Sequence, residues 1–210
     1  MRPEPMDQAV SAVLAEYEAR AEREREIWST LSPDESLRRR DEMLLPVGRA
    51  AGMLMNLLIK EAEARRILEV GSSYGYSTTW LAEAARAVGG KVISLELQAA
   101  KTQYAHTQLK RAGLADCVEF RVDDALASLR QLAVPFDFVL IDLCKELYVP
   151  VFELLQRKLA PGAIVVADNM LYPEKFREEA RAYRQRVRAA AGMSSVLLAV
   201  GNGLEVSRYQ

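Results

Sequence analysis

The sequence predicts an α/β fold with a seven-stranded, mostly parallel sheet, helices on both faces and an antiparallel hairpin at the C-terminus. Two observations predict it. From residue 66 onward, short apolar runs alternate with helical stretches, which is typical of strand–helix–strand units in a parallel sheet. After residue 195 the pattern changes to two apolar runs around Gly201-Asn202-Gly203, which indicates a hairpin.

The residues before this alternating region predict helices only. Residues 7–30 are rich in Ala, Glu and Arg and predict an exposed helix. Because acidic residues repel one another at i,i+4 spacing along it, we expect this helix to need a partner surface. Ser32-Pro33 indicates the start of a second helix, with Ser as N-cap and Pro at the first helical position. A third helix at 47–62 is strongly apolar, and we expect it to be buried.

The alternating region gives the order of the remaining elements. Parallel strands are predicted at 66–70, 91–95, 117–122, 137–142 and 162–168. Helices are predicted at 77–88, 98–112, 124–131, 147–159 and 173–191, and the hairpin strands at 196–200 and 204–207. We therefore expect one domain over residues 1–210, with 1–45 as an N-terminal helical extension and 46–210 as the core.

Composition and charge argue against several classes of protein. The chain has 210 residues and a net charge of −1, so no overall field favours nucleic acid or an anionic membrane. No apolar run reaches the roughly 18 residues that a bilayer span needs. Residues 1–5 are polar and lack the apolar core of a signal peptide. Two cysteines, Cys117 and Cys144, make neither a disulfide framework nor a Cys-rich metal site. We expect a cytoplasmic protein without a membrane partner.

A glycine-rich turn follows the first predicted strand at Gly71-Ser72-Ser73-Tyr74-Gly75. Its G-x-x-x-G spacing differs from the G-x-G-x-x-G of dinucleotide binders. The carboxylate of Glu69, two residues before the turn, would repel a pyrophosphate but suits a cationic ligand such as S-adenosylmethionine. Glu96 ends the second strand, 21 residues after Gly75, where a carboxylate can accept both ribose hydroxyl protons. Asp123-Asp124-Ala125 follows the third strand, where an adenine amino group could be read. The alternative interpretations are an ordinary strand–helix turn, a solvated strand end at Glu96 and a helix N-cap at Asp124.

Polar side chains also follow two later strands, at the point where each strand ends. Asp142 follows one apolar run, and Asp168-Asn169 follows the next, 26 residues further on. The ends of neighbouring parallel strands lie at one edge of a sheet, where α/β proteins bind ligands. Hard divalent cations such as Mg²⁺ and Ca²⁺ prefer oxygen ligands of this kind. Lys145 lies three residues after Asp142. The alternative is an ordinary strand end at Asp142 and a turn at Asp168-Asn169.

On these residues the chain resembles the class I S-adenosylmethionine-dependent O-methyltransferases, which have a Rossmann-like fold. More narrowly, it resembles the cation-dependent catechol and caffeoyl-CoA O-methyltransferases. The resemblance covers about residues 40–209. It rests on Val47-Gly48, the glycine turn with Glu69, Glu96, Asp142-x-x-Lys145-x-x-Tyr148, Ala167-Asp168-Asn169 and Asn202-Gly203-Leu204.

The resemblance implies roles for individual residues. The catalytic residues would be Lys145, as the base that takes the acceptor hydroxyl proton, and Asp142. The ligands of Mg²⁺, or of Ca²⁺ or Mn²⁺, would be Asp142, Asp168 and Asn169. The cofactor contacts would be Val47, Glu69, Gly71, Ser72, Ser77, Glu96, Ala125 and Asp142. The resemblance also implies a small-molecule hydroxyl acceptor, of the vicinal-diol aromatic (catechol or caffeoyl) type, and a homodimer.

The chain departs from the animal catechol enzymes at Leu143-Cys144, where those enzymes have His-Trp over the acceptor ring. The sequence therefore does not identify the acceptor molecule. Two other functions stay open as well: a methyltransferase of the same fold acting on tRNA, which the near-neutral charge disfavours, and a cofactor-binding module without this activity, or a nucleotide-dependent oxidoreductase. Lys145 close to a cation and partly desolvated should have a lowered pKa, which favours its role as a base.

Overall fold

The computed structural model describes residues 7–210, apart from the side chains of Pro33 and Leu37, so the polar segment at 1–5 lies outside the described residues. The elements are α1 (Gln8–Thr30), α2 (Pro33–Arg39), α3 (Arg49–Glu61), β1 (Arg66–Val70), α4 (Tyr76–Val88), β2 (Lys91–Glu96), α5 (Ala99–Arg111), β3 (Val118–Val122), α6 (Ala125–Gln131), β4 (Phe136–Ile141), α7 (Tyr148–Leu155), β5 (Leu159–Ala167), α8 (Arg177–Arg188), β6 (Met193–Leu198) and β7 (Leu204–Tyr209).

The seven strands form one sheet in the order β3-β2-β1-β4-β5-β7-β6. Strands β1 to β5 pair in parallel, and β7 pairs antiparallel with both β5 and β6. This confirms the predicted mostly parallel sheet with a C-terminal hairpin. Strand β6 begins at Met193, earlier than the apolar run at 196 predicts, because Met193 and Ser194 pair with the end of β7.

The last predicted helix is shorter in the structure than in the sequence prediction. A single 3₁₀ turn, Glu174–Phe176, precedes α8, and the helix ends at Arg188. Pro173 has an extended backbone, with ψ of 149°, so it lies before the helical segment and not within it.

The sheet is buried on both faces. On β4, Phe138 and Leu140 face a core formed with α1, α3, α4 and α5, whereas Val139 and Ile141 face a core formed with α6, α7 and α8. Continuous apolar runs are expected for strands that are covered on both sides. This arrangement leaves the loops at the carboxyl ends of β1 to β5 free to form a site at one edge.

The prediction that the third helix is buried is wrong for one of its faces. Met55 and Ile59 on α3 are fully buried, but Met53 is 44% exposed and Leu57 is 54% exposed. Only one face of α3 can reach the sheet, because a helix turns 100° per residue. The opposite face presents apolar side chains to solvent.

The N-terminal helix has the partner surface that its repelling acidic residues require. Val10, Val13 and Leu14 of α1 are buried in the core on the α3 side of the sheet. The hydroxyl of Tyr17 donates to the carbonyl oxygen of Tyr74, 2.5 Å away, and thereby joins α1 to the glycine turn. Within residues 7–210, no helix is both long enough and apolar enough to cross a membrane.

Candidate active site

The structure brings the two predicted strand ends together at the carboxyl edge of the sheet. Ile141, the last residue of β4, lies beside Ala167, the last residue of β5. The backbone N–H of Asp168 donates to the carbonyl oxygen of Ile141 at 3.1 Å. Asp142 and Asp168 therefore leave adjacent strands at the same level. Asn169 has a positive φ of 55°, a left-handed conformation that asparagine tolerates better than most residues.

Lys145 lies between these strand ends. It is only 5% exposed, and its Nζ is 3.1 Å from both the Asp168 carbonyl oxygen and the Asn169 Oδ1. Nζ also donates to the hydroxyl oxygen of Tyr148, which in turn donates to the Asp168 carbonyl at 3.2 Å. Tyr148 matches the family motif, but the sequence does not reveal that it holds the lysine amine. Three partners thus fix the position of the amine.

The Asp168 carboxylate is the least satisfied polar group of the site. The residue is 1% exposed, and neither carboxylate oxygen has a hydrogen-bond partner within residues 7–210. Burial, and to a smaller extent the nearby Asp142, raise the pKa of Asp168 to about 8. A buried, unpaired carboxylate is costly, and a divalent cation would offset that cost.

The available donors therefore fit a hard cation. Asp142, Asp168 and Asn169 supply two carboxylates and one amide oxygen at one place. Over the described part of the chain, no three His, Cys, Asp or Glu side chains cluster as a metal site.

Burial also shapes the protonation of Lys145 and Asp142. Burial lowers the pKa of Lys145 to about 8, although Asp142 and Asp168 act in the opposite direction. Burial raises the pKa of Asp142, and Lys145 partly offsets that effect. The guanidinium of Arg40 acts on both groups and lowers both pKa values. The pKa of Lys145 is thus lowered, which is the direction that the sequence analysis predicts.

Gly71 allows the glycine turn to pass very close to Asp142. Its φ is +98°, and a Cβ added there would lie 2.0 Å from the Asp142 carbonyl oxygen. Its N–H donates to the Leu95 carbonyl oxygen at 3.0 Å. No residue with a side chain fits this position, because both the conformation and the space exclude a Cβ.

Glu69 lies beneath the turn. It is 0% exposed, and its carboxylate accepts hydrogen bonds from the hydroxyls of Ser77, Thr78 and Ser94, each at 2.6 Å. Burial raises the pKa of Glu69 to about 7, and the three hydroxyls oppose this rise. The side chain thus ties β1, α4 and β2 together. Contact between Glu69 or Ser77 and a cofactor stays a prediction.

The Glu96 carboxylate faces the same turn. It accepts from the N–H of Ser73 at 2.8 Å and from the N–H of Gln98 at 3.0 Å. The residue is partly exposed, so lone pairs remain for further donors. Asp124 accepts from the N–H of Ala127 at 2.9 Å, which agrees with the helix-cap interpretation.

The remaining predicted contacts lie around this edge. Ala125 is the first residue of α6, and Ser72 is buried in the glycine turn. Val47 is buried where the segment before α3 meets the hairpin, and a Cβ on Gly201 would lie 3.0 Å from its carbonyl oxygen. Leu143 is partly exposed and Cys144 is exposed, at the outer side of the site.

Several known proteins are similar to this chain. A sequence model of a family described as "O-methyltransferase" matches residues 20–207. A catechol O-methyltransferase of Mycobacterium tuberculosis is 41% identical over 128 residues, which cover 60% of this chain and 58% of that protein. A probable caffeoyl-CoA O-methyltransferase of Arabidopsis thaliana is 32% identical over 128 residues, which cover 58% of this chain and 55% of that protein.

The matched region spans less than three fifths of the length of either relative. A solved structure covers more. The crystal structure of the O-methyltransferase from Bacillus cereus in complex with SAH has a TM-score of 0.77 and 27% identity. This similarity covers 100% of the present chain and 94% of the Bacillus cereus chain.

Proposed function

Because this chain belongs to the O-methyltransferase family, we propose that it transfers a methyl group from S-adenosylmethionine to a hydroxyl group of a small molecule, with the help of a divalent cation. One observation carries the proposal. The amine of Lys145 is 3.1 Å from the amide oxygen of Asn169 and beside the buried Asp168, whose carboxylate oxygens have no partner within residues 7–210. A base and a set of cation ligands thus lie together next to the glycine turn.

The cofactor contacts that we propose line this turn and its neighbours. S-adenosylmethionine would supply an electrophilic methyl group on its sulfonium. The Glu96 carboxylate would accept the ribose hydroxyl protons while its N–H partners keep it aimed at the turn. The other proposed contacts are Val47, Glu69, Gly71, Ser72, Ser77, Ala125 and Asp142.

The cation site that we propose consists of Asp142, Asp168 and Asn169. Mg²⁺, or Ca²⁺ or Mn²⁺, would supply Lewis acidity that lowers the pKa of an acceptor hydroxyl. The Asp168 carboxylate supports this assignment, because it is buried and lacks a hydrogen-bond donor within the described chain.

Lys145 would act as the general base. Burial lowers its pKa to about 8, so the neutral amine that can accept a proton is accessible close to neutral pH. The hydroxyl of Tyr148 and the carbonyl of Asp168 hold Nζ in place before the reaction. Alignment of the acceptor oxygen with the methyl group and the sulfur can contribute a further roughly 7–11 kcal/mol to catalysis in favourable cases.

The acceptor that we propose is an aromatic ring with two vicinal hydroxyls. The similarity to relatives named as catechol and caffeoyl-CoA O-methyltransferases supports that class. Leu143 and Cys144 lie at the outer side of the site, so an aliphatic side chain and a thiol, and not an aromatic pair, would border the ring.

A homodimer is the proposed assembly. The exposed apolar face of α3, with Met53 and Leu57, would be its contact surface. Leu57→Glu should then convert a dimer to a monomer in light scattering. Val134→Glu is the matched control, because Val134 is similarly exposed and lies away from α3, just before β4. A monomeric parent protein would refute this assembly.

A methyl-transfer assay with catechol tests the function. Activity should disappear with EDTA and return with Mg²⁺. Lys145→Ala should fold, bind S-adenosylhomocysteine and lose most turnover, whereas Lys110→Ala, at an exposed position on α5, should behave like the parent. Full activity after exhaustive chelation would remove the cation from the mechanism, and near-normal turnover of Lys145→Ala would remove the base. Methylation of bulk tRNA with no catechol turnover would favour a nucleic-acid substrate.

A further inference from the structure

One arginine of the N-terminal helix contacts both the glycine turn and the chain segment that leads to Val47. The Cζ of the Arg20 guanidinium lies 4.1 Å from the ring centroid of Tyr74 in the glycine turn and 5.1 Å from that of Tyr104 on α5. Its Nη2 also donates to the carbonyl oxygen of Glu42 at 3.1 Å. The arginine side chain is 20% exposed, so these contacts are largely shielded from water.

Glu24, one helical turn further along α1, holds this guanidinium in place. The Nε of Arg20 donates to one oxygen of the Glu24 carboxylate at 2.6 Å. The other oxygen of that carboxylate accepts from the backbone N–H of Leu44, also at 2.6 Å. The ion pair therefore fixes the arginine and, at the same time, attaches α1 to the chain three residues before Val47.

The attached segment, residues 41–47, contains a strained residue. Leu45 has a φ of +44°, and its side chain is 47% exposed. Leucine adopts this left-handed conformation only at a cost in free energy, so contacts on either side must hold the chain. The hydroxyl of Tyr74 donates to the carbonyl oxygen of Asp41 at 3.2 Å and joins the segment to the glycine turn. Arg20 thus lies where the segment and the turn meet.

We propose that Arg20 is a positioning residue for the S-adenosylmethionine site, because it holds the glycine turn and segment 41–47 together before the cofactor binds. The inference rests on the proposed cofactor contacts at Gly71, Ser72 and Val47, and it adds a residue of the N-terminal helix that supports them. Segments that are already in place lose less conformational freedom when a ligand binds, so the affinity is higher. Methyl transfer from bound cofactor does not require Arg20.

Calorimetric titration with S-adenosylhomocysteine tests this proposal without relying on turnover. Arg20→Gln should bind this ligand about tenfold more weakly than the parent, which is the size expected for a partly buried cation–π contact. Arg20→Lys should keep part of the affinity, because it retains the charge but not the planar group that stacks on the rings. Arg25→Gln is the matched control, since Arg25 pairs with Glu22 on the same helix at 2.6 Å and is 73% exposed.

Kinetics separates this role from a merely structural one. In a methylation assay, Arg20→Gln should raise the KM for S-adenosylmethionine about tenfold and leave kcat at saturating cofactor unchanged. Circular dichroism verifies that each variant is folded. If Arg20→Gln does not fold, Tyr74→Leu and Tyr74→Phe provide the test from the other side of the contact. The phenylalanine variant keeps the ring and should bind S-adenosylhomocysteine more tightly than the leucine variant, and equal affinities would overturn the proposal.

The possible results distinguish the role of Arg20 from the proposed function. Binding by Arg20→Gln that equals the parent's, or an equal loss in Arg25→Gln, would overturn the role of Arg20 and leave the proposed methyl transfer intact. A lowered kcat with an unchanged KM would overturn it as well. A loss of affinity in Arg20→Gln alone, without methylation of any acceptor by the parent, would support the role of Arg20 and refute the proposed function. A parent protein that does not bind S-adenosylhomocysteine would refute both.

Discussion

Replacing Glu69 with glutamine should flatten part of the pH dependence of the free energy of unfolding. Burial raises the pKa of Glu69 to about 7 in the folded protein, from 4.5 in the unfolded chain. At pH values between 4.5 and 7, Glu69 is therefore mostly protonated in the folded protein and mostly ionised in the unfolded chain. The stability that Glu69 contributes is therefore complete below about pH 4.5 and is lost as the pH rises through about 7.

The size of this loss follows from the difference in pKa. At about 1.4 kcal/mol per pKa unit, the folded protein should lose about 2–3 kcal/mol of stability between pH 5 and pH 9 because of this carboxyl group. Glutamine has the shape of the protonated acid and cannot ionise. The hydroxyls of Ser77, Thr78 and Ser94 can rotate to suit an amide. The variant should therefore resemble the parent at pH 5 and exceed it in stability at pH 9.

Urea denaturation of both proteins at several pH values measures this effect. The informative quantity is the difference between the two free energies of unfolding, since other titrating groups such as Asp168 and Lys145 contribute to both proteins and cancel. We expect that difference to grow by about 2–3 kcal/mol in favour of the variant. A difference that is constant over the whole pH range would refute the assignment of a buried, proton-binding Glu69.

Two further predictions use matched control positions. Tyr148→Phe removes one of the groups that hold Lys145 and should lower kcat about tenfold. This is less than the roughly 10²–10⁴-fold contribution of the acid–base group itself, because Lys145 and its other two partners remain. Tyr183→Phe should leave kcat unchanged, because the Tyr183 hydroxyl has no hydrogen-bond partner within residues 7–210; equal kcat values in both variants would contradict the role of Tyr148. Gly71→Ala should cost about 3 kcal/mol in urea denaturation through strain and overlap. Gly89→Ala should cost about 1 kcal/mol, since Gly89 also has a positive φ but no atom within 4 Å of the added Cβ; similar costs at both positions would show that the overlap at Gly71 relaxes.

The sheet could be predicted because its strands are buried on both faces. In β4 and β5, the runs Phe138–Ile141 and Ile164–Ala167 are apolar throughout, and each is followed by an aspartate that marks the edge. The hairpin was harder to delimit, because Ser194 and Ser195 in β6 are polar and reveal their strand only through pairing with β7. A similar limit applies to α3. Because the helix is apolar on more than one face, its sequence does not indicate which face is buried.

The candidate active site could likewise be predicted only in part. Asp142, Lys145 and Asp168-Asn169 could be placed together from sequence, because strand ends have known neighbours in a parallel sheet. The partners of Glu69 could not, since its three hydroxyl donors come from positions whose side-chain directions depend on packing.

The hydrogen bond from Tyr17 to Tyr74 has a thermodynamic consequence for the whole N-terminal region. It joins α1 to the glycine turn, so detachment of the helix and loosening of the turn share one local opening reaction. Any ligand that orders the turn must then make the helix harder to detach, by the same free energy with which the docked helix favours that ligand. Amide protons in α1, far from the methyl-transfer chemistry, should accordingly exchange more slowly when the cofactor is bound.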